Sequence, residues 1–273
     1  MSYIPLIARV DSLPPLPESV MQLEQLFNNG DPEIDSIVKI IESDPSLTMD
    51  ILSKVNAPFY GFSRTIVDIL QAITLFGAPQ IRSIVLSSSL ERGFDIDLSP
   101  YNISTLEFSM VSSIQSELIF QWYMSINIDL ARQLTPIAFL MEIGKILIAK
   151  DILGSDKKDE FLSDLQKFDD IAYVENIHTM MTTAQINALI FKHLNLNENF
   201  YETMKYLDAE HECPDELRDM VFALQVVRTA VNIEELLTDN SVAKAEQMLV
   251  EYGFNVQTFQ RVIKRIKRKY LED

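Results

Sequence analysis

The chain has 273 residues, 47% of them apolar, with 7 Gly and 11 Pro, a composition that excludes a disordered, collagen-like or low-complexity protein. Its single cysteine, Cys213, excludes an internal disulfide and a thiolate metal cluster. The net charge of −17 repels a phosphate backbone, so we expect no nucleic-acid partner.

The start of the chain, MSYIPLIARVD, lacks the basic residues and long apolar run of a signal peptide. The longest apolar stretch, 137–149, is interrupted by Glu142, Gly144 and Lys145. No segment therefore reaches the roughly 18 consecutive apolar residues of a membrane helix. We expect a cytoplasmic protein without a membrane span.

Apolar residues recur at steps of three and four along nearly the whole chain, which predicts an all-α, multi-helix bundle. Residues 1–12 are predicted to be a lead-in, and 13–95 an N-terminal helical subdomain. Its helices are predicted at 17–29, 32–43, 45–55, 66–76 and 79–91. Asp31-Pro32 and Asp44-Pro45 each place a capping carboxylate before a proline suited to a first helical turn. LPPLP is predicted to lead into the first helix, with a polyproline ligand as the alternative.

The segment 91–103, which contains Gly93, Pro100 and three acidic residues, predicts a joint before a central bundle over 104–210. Central helices are predicted at 104–126, 136–150, 156–168, 183–194 and 198–209. Ser104 and Glu107 have the spacing of a capping box, which predicts a sharp helix start. Residues 211–273 are predicted to form a C-terminal extension, with helices at 214–231, 241–252 and 255–271.

Two stretches, LPPLPESV and then 44–86, resemble the HD-related output domain (HDOD) of bacterial signalling proteins. In that family a proline-rich entry precedes an acidic-Pro helix start, an Asn-x-x-Phe-Tyr-Gly turn and a Leu-x-Gly stop. The matching residues here are Asn56, Phe59, Tyr60, Gly61, Leu75 and Gly77. The resemblance implies an HD-like helical fold and a role in bacterial signal output.

The stretch AFLMEIGKILI is similar to the helix that carries the His-Asp pair of the parent HD phosphohydrolases. Those enzymes place His and Asp directly before Ile-Gly-Lys. This chain has Met141 and Glu142 there, followed by Ile143, Gly144 and Lys145. The resemblance therefore implies a degenerate HD position, comprising Met141, Glu142, Gly144 and Lys145.

The parent chemistry requires an imidazole and carboxylates around a divalent metal that activates water. Methionine is a poor ligand for such a metal, and one carboxylate does not make a site. His178, His193 and His211 do not pair at the i, i+4 spacing of a helical zinc site. We therefore predict no catalytic residues, no metal and no cofactor. The alternatives are a phosphohydrolase or phosphodiesterase using Glu142 with carboxylates such as Asp208 and Glu210, or binding of a nucleotide messenger without turnover.

If 139–147 form one helix, Met141 points away from its main apolar face and is expected to fill the space of the parent metal site. Glu142 and Lys145 then lie on one flank at i, i+3, where an exposed pair contributes only about 0.2–0.5 kcal/mol.

The turn 56–62 carries three aromatic rings, and loops held by a rigid scaffold often bind partners. Burial of the rings is the default expectation. Asn56, Phe59, Tyr60, Gly61 and Phe62 are nevertheless the candidate interaction surface. We predict a non-catalytic regulatory module that acts through protein-protein interaction, with signalling proteins as partners.

The last predicted helix repeats apolar residues from Val256 to Tyr270, and six basic residues occupy its other face (Arg261, Lys264, Arg265, Lys267, Arg268 and Lys269). Such a basic amphipathic helix can dock on the chain's own acidic surface or bind an external partner. Both possibilities stay open at this point.

Overall fold

The computed structural model describes residues 6–92, 94, 96–209 and 212–272. The described residues form sixteen α-helices and no strand, which confirms the predicted all-α class. Among them, no single helix is long and apolar enough to cross a membrane; one pair, the helices Ile69–Phe76 and Ala78–Glu91, meets both criteria together but is bent by 118°.

The N-terminal part is a small helical layer. Its helices are α1 (Leu6–Asp11), α2 (Glu18–Asn28), α3 (Ile34–Glu42), α4 (Pro45–Val55), α5 (Ile69–Phe76) and α6 (Ala78–Glu91). Asp44 caps α4 as predicted, because its carboxylate accepts from the Leu47 N–H at 3.0 Å and Pro45 follows. The predicted cap at Asp31 is wrong: α3 begins at Ile34, and Asp31 forms an ion pair with Arg132 at 2.9 Å instead.

The predicted lead-in contains a helix of its own, α1. Leu6 and Val10 on this helix are buried, and α1 packs on a helix of the central bundle. The His193 Nε2 lies 3.1 Å from the Leu13 carbonyl oxygen, which adds a polar contact at the same place. One and a half turns give too short an apolar pattern to be recognised in the sequence.

The helices of the central bundle are α7 (Thr105–Tyr123), α8 (Ile128–Leu140), α9 (Gly144–Gly154), α10 (Lys158–Leu165), α11 (Ile171–Thr179), α12 (Thr183–His193) and α13 (Glu198–Tyr206). The two long neighbours α7 and α8 pack on each other. The predicted capping box of Ser104 and Glu107 is present at the start of α7. Most of α8 and all of α11 were missing from the sequence prediction.

The predicted single helix over 136–150 is wrong, because the chain turns between α8 and α9. A side chain from α12 stabilises this turn: the Asn187 Nδ2 donates to the Met141 carbonyl at 2.6 Å, and its Oδ1 accepts from the Gly144 N–H at 2.7 Å. The side-chain amide of Asn187 thus provides hydrogen-bond partners for backbone groups that lack them where α8 ends and α9 begins.

The C-terminal helices are α14 (Asp215–Ala230), α15 (Asp239–Glu251) and α16 (Val256–Tyr270). The apolar face of α16 is buried against α7, where the Phe259 and Trp122 ring centroids lie 5.1 Å apart. Two lysines of α16 also pair with acidic groups of the chain itself: Lys269 Nζ lies 2.7 Å from Glu117, and Lys267 Nζ lies 3.0 Å from Asp239.

We expect Gly144→Ala to destabilise the protein by about 1–3 kcal/mol, since a close-packed site must expand to admit the new methyl group. A Cβ at Gly144 meets the Asn187 Oδ1 and the Thr183 carbonyl oxygen, each at 2.8 Å. Gly154 in the same helix is the matched control, because its Cβ meets nothing nearer than 3.7 Å. Urea unfolding of both alanine variants measures the difference, and equal midpoints would contradict this account of the turn.

Candidate functional site

The degenerate HD position lies at the turn between α8 and α9. Met141 is buried at 1% exposure and Glu142 at 2%, so neither side chain reaches the solvent. Gly144 begins α9 in close contact with α12, and Lys145 follows it on the first turn. All four residues of the predicted position therefore belong to the interior of the central bundle.

The ammonium group of Lys145 is the centre of the site. Its Nζ lies 2.8 Å from a Glu142 carboxylate oxygen, 3.0 Å from Glu175 and 3.1 Å from the Thr183 Oγ1. The Lys145 side chain is only 6% exposed. The pair that the i, i+3 spacing indicated is therefore present, but it is buried rather than exposed, because α11 and α12 supply two further partners and cover it.

Glu175, on α11, is the second carboxylate of the cluster. The Tyr101 hydroxyl donates to its Oε1 at 2.9 Å, and the Thr183 hydroxyl donates to the same oxygen at 2.7 Å. The Thr183 N–H donates to Oε2 at 2.6 Å. Sequence reasoning missed Glu175 because α11 itself was not predicted.

Gln115, on α7, closes the cluster from the other side. Its Nε2 donates to a Glu142 oxygen at 2.9 Å and to the Val231 carbonyl, just after α14, at 2.8 Å. The sequence did contain a signal for this residue. Gln115 stands in the apolar stripe of Val111, Leu118 and Trp122, at the i−4, i+3 and i+7 positions, where a polar side chain needs an internal partner.

Both members of the central ion pair remain charged despite their burial. Desolvation would raise the pKa of Glu142, but the Lys145 charge and hydrogen bonds from Lys145 and Gln115 outweigh it and lower that pKa. Desolvation would likewise lower the pKa of Lys145, and the charges of Glu142 and Glu175 raise it instead. The cluster is thus a fixed arrangement of charges near neutral pH.

These residues do not fit the metal that the parent enzymes use. Glu142 and Glu175 both direct oxygens at the Lys145 ammonium, which leaves no room for a second cation between them. Among the described residues, no group of three His, Cys, Asp or Glu side chains could hold a metal ion.

The other ligands considered from the sequence have partners of their own or lie elsewhere. Asp208 accepts from Arg228 and from the Thr182 hydroxyl, each at 2.6 Å. His178 lies 2.9 Å from Asp164. Glu210 and His211 lie outside the described residues.

A cavity of about 280 Å³ opens outside the Lys145 cluster. Its inner wall includes Lys145 and Arg228, and its rim is mainly acidic, with Asp169, Glu234 and Glu235. Partial burial raises the pKa of Glu234, helped by the neighbouring charges of Glu235 and Asp169. A negative rim of this kind disfavours entry of an anionic phosphoester.

The candidate interaction loop is held by two internal side chains. The Asn56 side chain donates to the Leu52 and Ile66 carbonyls and accepts from the Ile66 N–H at 2.8 Å. Tyr60 is buried, and its hydroxyl is hydrogen-bonded to Ser113 at 2.9 Å. Gly61 follows at a positive φ of 67°, which turns the chain back.

The remaining rings of the loop reach the surface beside the C-terminal helix. Phe59 is half-buried and Phe62 is 40% exposed. Tyr270 of α16 lies with its ring centroid 6.4 Å from Phe59 and 6.3 Å from Tyr60. The loop and the C-terminal helix therefore form one continuous surface. Tyr60 is buried beneath this surface, and Phe59 and Phe62 are partly exposed on it.

We expect Lys145→Met to destabilise the chain by about 3–5 kcal/mol, because it leaves two buried carboxylates without their cation. Adding Glu142→Gln should recover part of that loss, since it removes one of the two charges. Lys244→Met is the control, because Lys244 lines the same cavity with a side chain that is 53% exposed. Denaturant unfolding measures all three, and a Lys145→Met cost as small as that of Lys244→Met would refute the proposed balance of charges.

The chain is similar over its length to several solved structures. A virulence factor from Campylobacter jejuni subsp. jejuni is 25% identical, with a TM-score of 0.60 and coverage of 98% of this chain and 96% of that one. A Shewanella amazonensis protein provisionally named a phosphohydrolase is 16% identical, with a TM-score of 0.67 and coverage of 98% and 96%. A Marinobacter aquaeolei protein provisionally named for signal transduction is 16% identical, with a TM-score of 0.72 and coverage of 98% and 60%.

A curated Treponema pallidum protein without a described function is 28% identical over 79 residues, which are 29% of this chain and 15% of that protein. The HDOD domain family model matches residues 13–210. This match covers more than half of the residues and agrees with the all-helical fold and with the motifs around Asn56 and Lys145. The chain therefore belongs to the HDOD domain family.

Proposed function

We propose that this chain is a non-catalytic regulatory module of a bacterial signalling pathway, that it acts in the cytoplasm, and that it works by binding a protein partner. The observation that carries the proposal is the position of the Lys145 ammonium between Glu142 and Glu175, at 2.8 and 3.0 Å. A resident lysine charge in place of a metal ion balances the carboxylates but activates no water.

The partner is proposed to bind at the loop 56–62. Its exposed ring, Phe62, and the half-buried Phe59 are held on a rigid base by Asn56 and Tyr60. An aromatic side chain presented on a fixed loop binds with little loss of conformational entropy. The inner residues of the loop then position the surface, and the outer rings contact the partner.

A phosphohydrolase is the second candidate, because two solved neighbours of the same fold carry that provisional name. Its catalytic metal would have to displace Lys145 from both carboxylates. Such a rearrangement separates an ion pair that is almost fully buried, which is costly unless a better cation replaces the ammonium.

Metal analysis combined with a hydrolysis assay distinguishes the two candidates. We expect protein purified after growth with added Mn, Fe, Zn and Mg to carry far less than one metal per chain. We also expect wild type and Glu142→Gln to hydrolyse a generic phosphodiester and cyclic dinucleotides at the same background rate. Stoichiometric metal, with hydrolysis that is lost in Glu142→Gln, would establish the enzyme instead.

Affinity capture from the native cytoplasm tests the loop. We expect Phe59→Ala/Phe62→Ala to lose partners that wild type retains, because it removes the exposed rings while keeping the buried Tyr60. Val250→Ala is the matched control, since Val250 is 65% exposed on α15, away from the loop. Equal recovery of every partner by wild type and by the double variant would remove the loop from the proposal.

A further inference from the structure

A deep cavity lies beside the loop 56–62, where α4, α6 and α7 meet. It has a volume of about 190 Å³. Leu106, which is 52% exposed, and the exposed Ser53 lie at its mouth. The inner wall includes Ile84, Phe108 and Phe139, none of which is more than 6% exposed. The cavity therefore leads from the surface into the apolar interior.

Short side chains on two helices leave this space open. Ser87 of α6 and Ser109, Ser112 and Ser113 of α7 all line the cavity. Larger side chains at these positions would fill the volume. Protein interiors contain few voids larger than a water molecule, so a cavity of this depth is a distinct feature of the fold.

One of these serine hydroxyl groups has no partner inside the protein. The Ser109 hydroxyl donates to the Thr105 carbonyl at 2.9 Å, and the Ser113 hydroxyl donates to the Ser109 carbonyl at 2.8 Å. Ser112 is only 4% exposed, and among the described residues its hydroxyl makes no hydrogen bond. Buried hydroxyl groups are normally hydrogen-bonded. The Ser112 hydroxyl therefore supplies a hydrogen bond to an occupant of the cavity.

The charged groups at the cavity pair with each other. The Lys54 Nζ lies 2.7 Å from a Glu91 carboxylate oxygen and donates to the Ser87 hydroxyl oxygen at 3.1 Å. The Ser87 hydroxyl in turn donates to Glu91. Each charge already has its counter-charge, so an ionic occupant would have to compete with this pair. The cavity wall favours a neutral occupant.

The volume of the cavity matches a single aromatic ring. An apolar cavity of about 150 Å³ in another protein binds benzene. Sites for drug-sized ligands are larger, at roughly 300–1,000 Å³. Phe59, Tyr60, Phe108 and Phe139 line the cavity, and aromatic rings pack favourably edge to face. Volume and lining together indicate one ring that carries one hydrogen-bonding group.

We propose that this cavity binds the side chain of a tyrosine from the protein partner, with the ring against Phe108 and Phe139 and the hydroxyl against Ser112. A tyrosine side chain is neutral, has one ring and carries one hydroxyl, so it meets all three requirements of the wall. Tyrosines that fill a pocket are frequent hot spots of protein interfaces. The inference rests on the proposed function, because Phe59 belongs both to the loop and to the cavity wall.

The test uses two small compounds, p-cresol and toluene. The first is the side chain of tyrosine capped by a hydrogen, and the second is the same ring without the hydroxyl. Amide NMR spectra of the isotope-labelled full chain give a dissociation constant for each. We expect p-cresol to shift the signals of Phe108, Ser112 and Phe139. The preference for p-cresol over toluene should fall about two- to tenfold in Ser112→Ala, because one neutral hydrogen bond is lost.

Ser109→Ala is the matched control. It makes the same substitution on the same helix and in the same cavity, but the Ser109 hydroxyl already donates to the Thr105 carbonyl. We expect this variant to keep the wild-type preference. Equal preferences in wild type and Ser112→Ala, or equal falls in both alanine variants, would overturn the proposal. So would a cavity whose signals p-cresol does not shift, since that cavity would hold water only.

Affinity capture from the native cytoplasm extends the test to the partner. Ser112→Leu fills the cavity and keeps Phe59 and Phe62, and we expect it to lose the partners that Phe59→Ala/Phe62→Ala loses. Saturating p-cresol on wild type blocks the same cavity if Ser112→Leu does not fold.

The failure of the cavity differs from the failure of the proposed function. Partners that survive the filled or blocked cavity but are lost in Phe59→Ala/Phe62→Ala would refute the tyrosine site and leave the loop in place. Partners that survive every one of these changes would contradict both.

Discussion

The interaction on which the centre of this structure depends is the buried ammonium of Lys145 between Glu142 and Glu175. Two carboxylates in a low-dielectric interior repel each other and lose their hydration, so they require a cation within contact distance. Here that cation is a side chain, which is held covalently and donates hydrogen bonds to Glu142 and Glu175 and to the Thr183 hydroxyl.

This charge balance also determines which parts of the chain must come together. Glu142 lies at the turn before α9, Glu175 on α11 and Thr183 at the start of α12, and Gln115 of α7 links Glu142 to the carbonyl of Val231. Each unpaired member would leave a buried polar group unsatisfied. The residues of the Lys145 cluster therefore stabilise the contact between the central bundle and the C-terminal extension.

The partly exposed rings of the loop lie apart from the Lys145 cluster, beside the C-terminal helix. There the loop 56–62, α5 and α16 meet, and Tyr270 contacts both Phe59 and Tyr60. Phe62 and Phe76 pack ring against ring there, beside the basic side chains Arg265 and Lys269 of α16. The proposed partner binding rests on these fixed aromatic rings, because rigid rings supply contact area at little entropic cost.

The helical class, the capped starts of α4 and α7, the family and the loss of the His-Asp pair could be predicted from the sequence, because they depend on local spacing and on residue identity. The break between α8 and α9 could not be predicted, since that turn is stabilised by Asn187 from 43 residues away. Helix α11, and with it Glu175, was missed because the nine residues of that helix carry a weak pattern. The burial of Glu142 and Lys145 follows from the fold alone, because α11 and α12 cover them and the periodicity around Lys145 cannot reveal those distant helices.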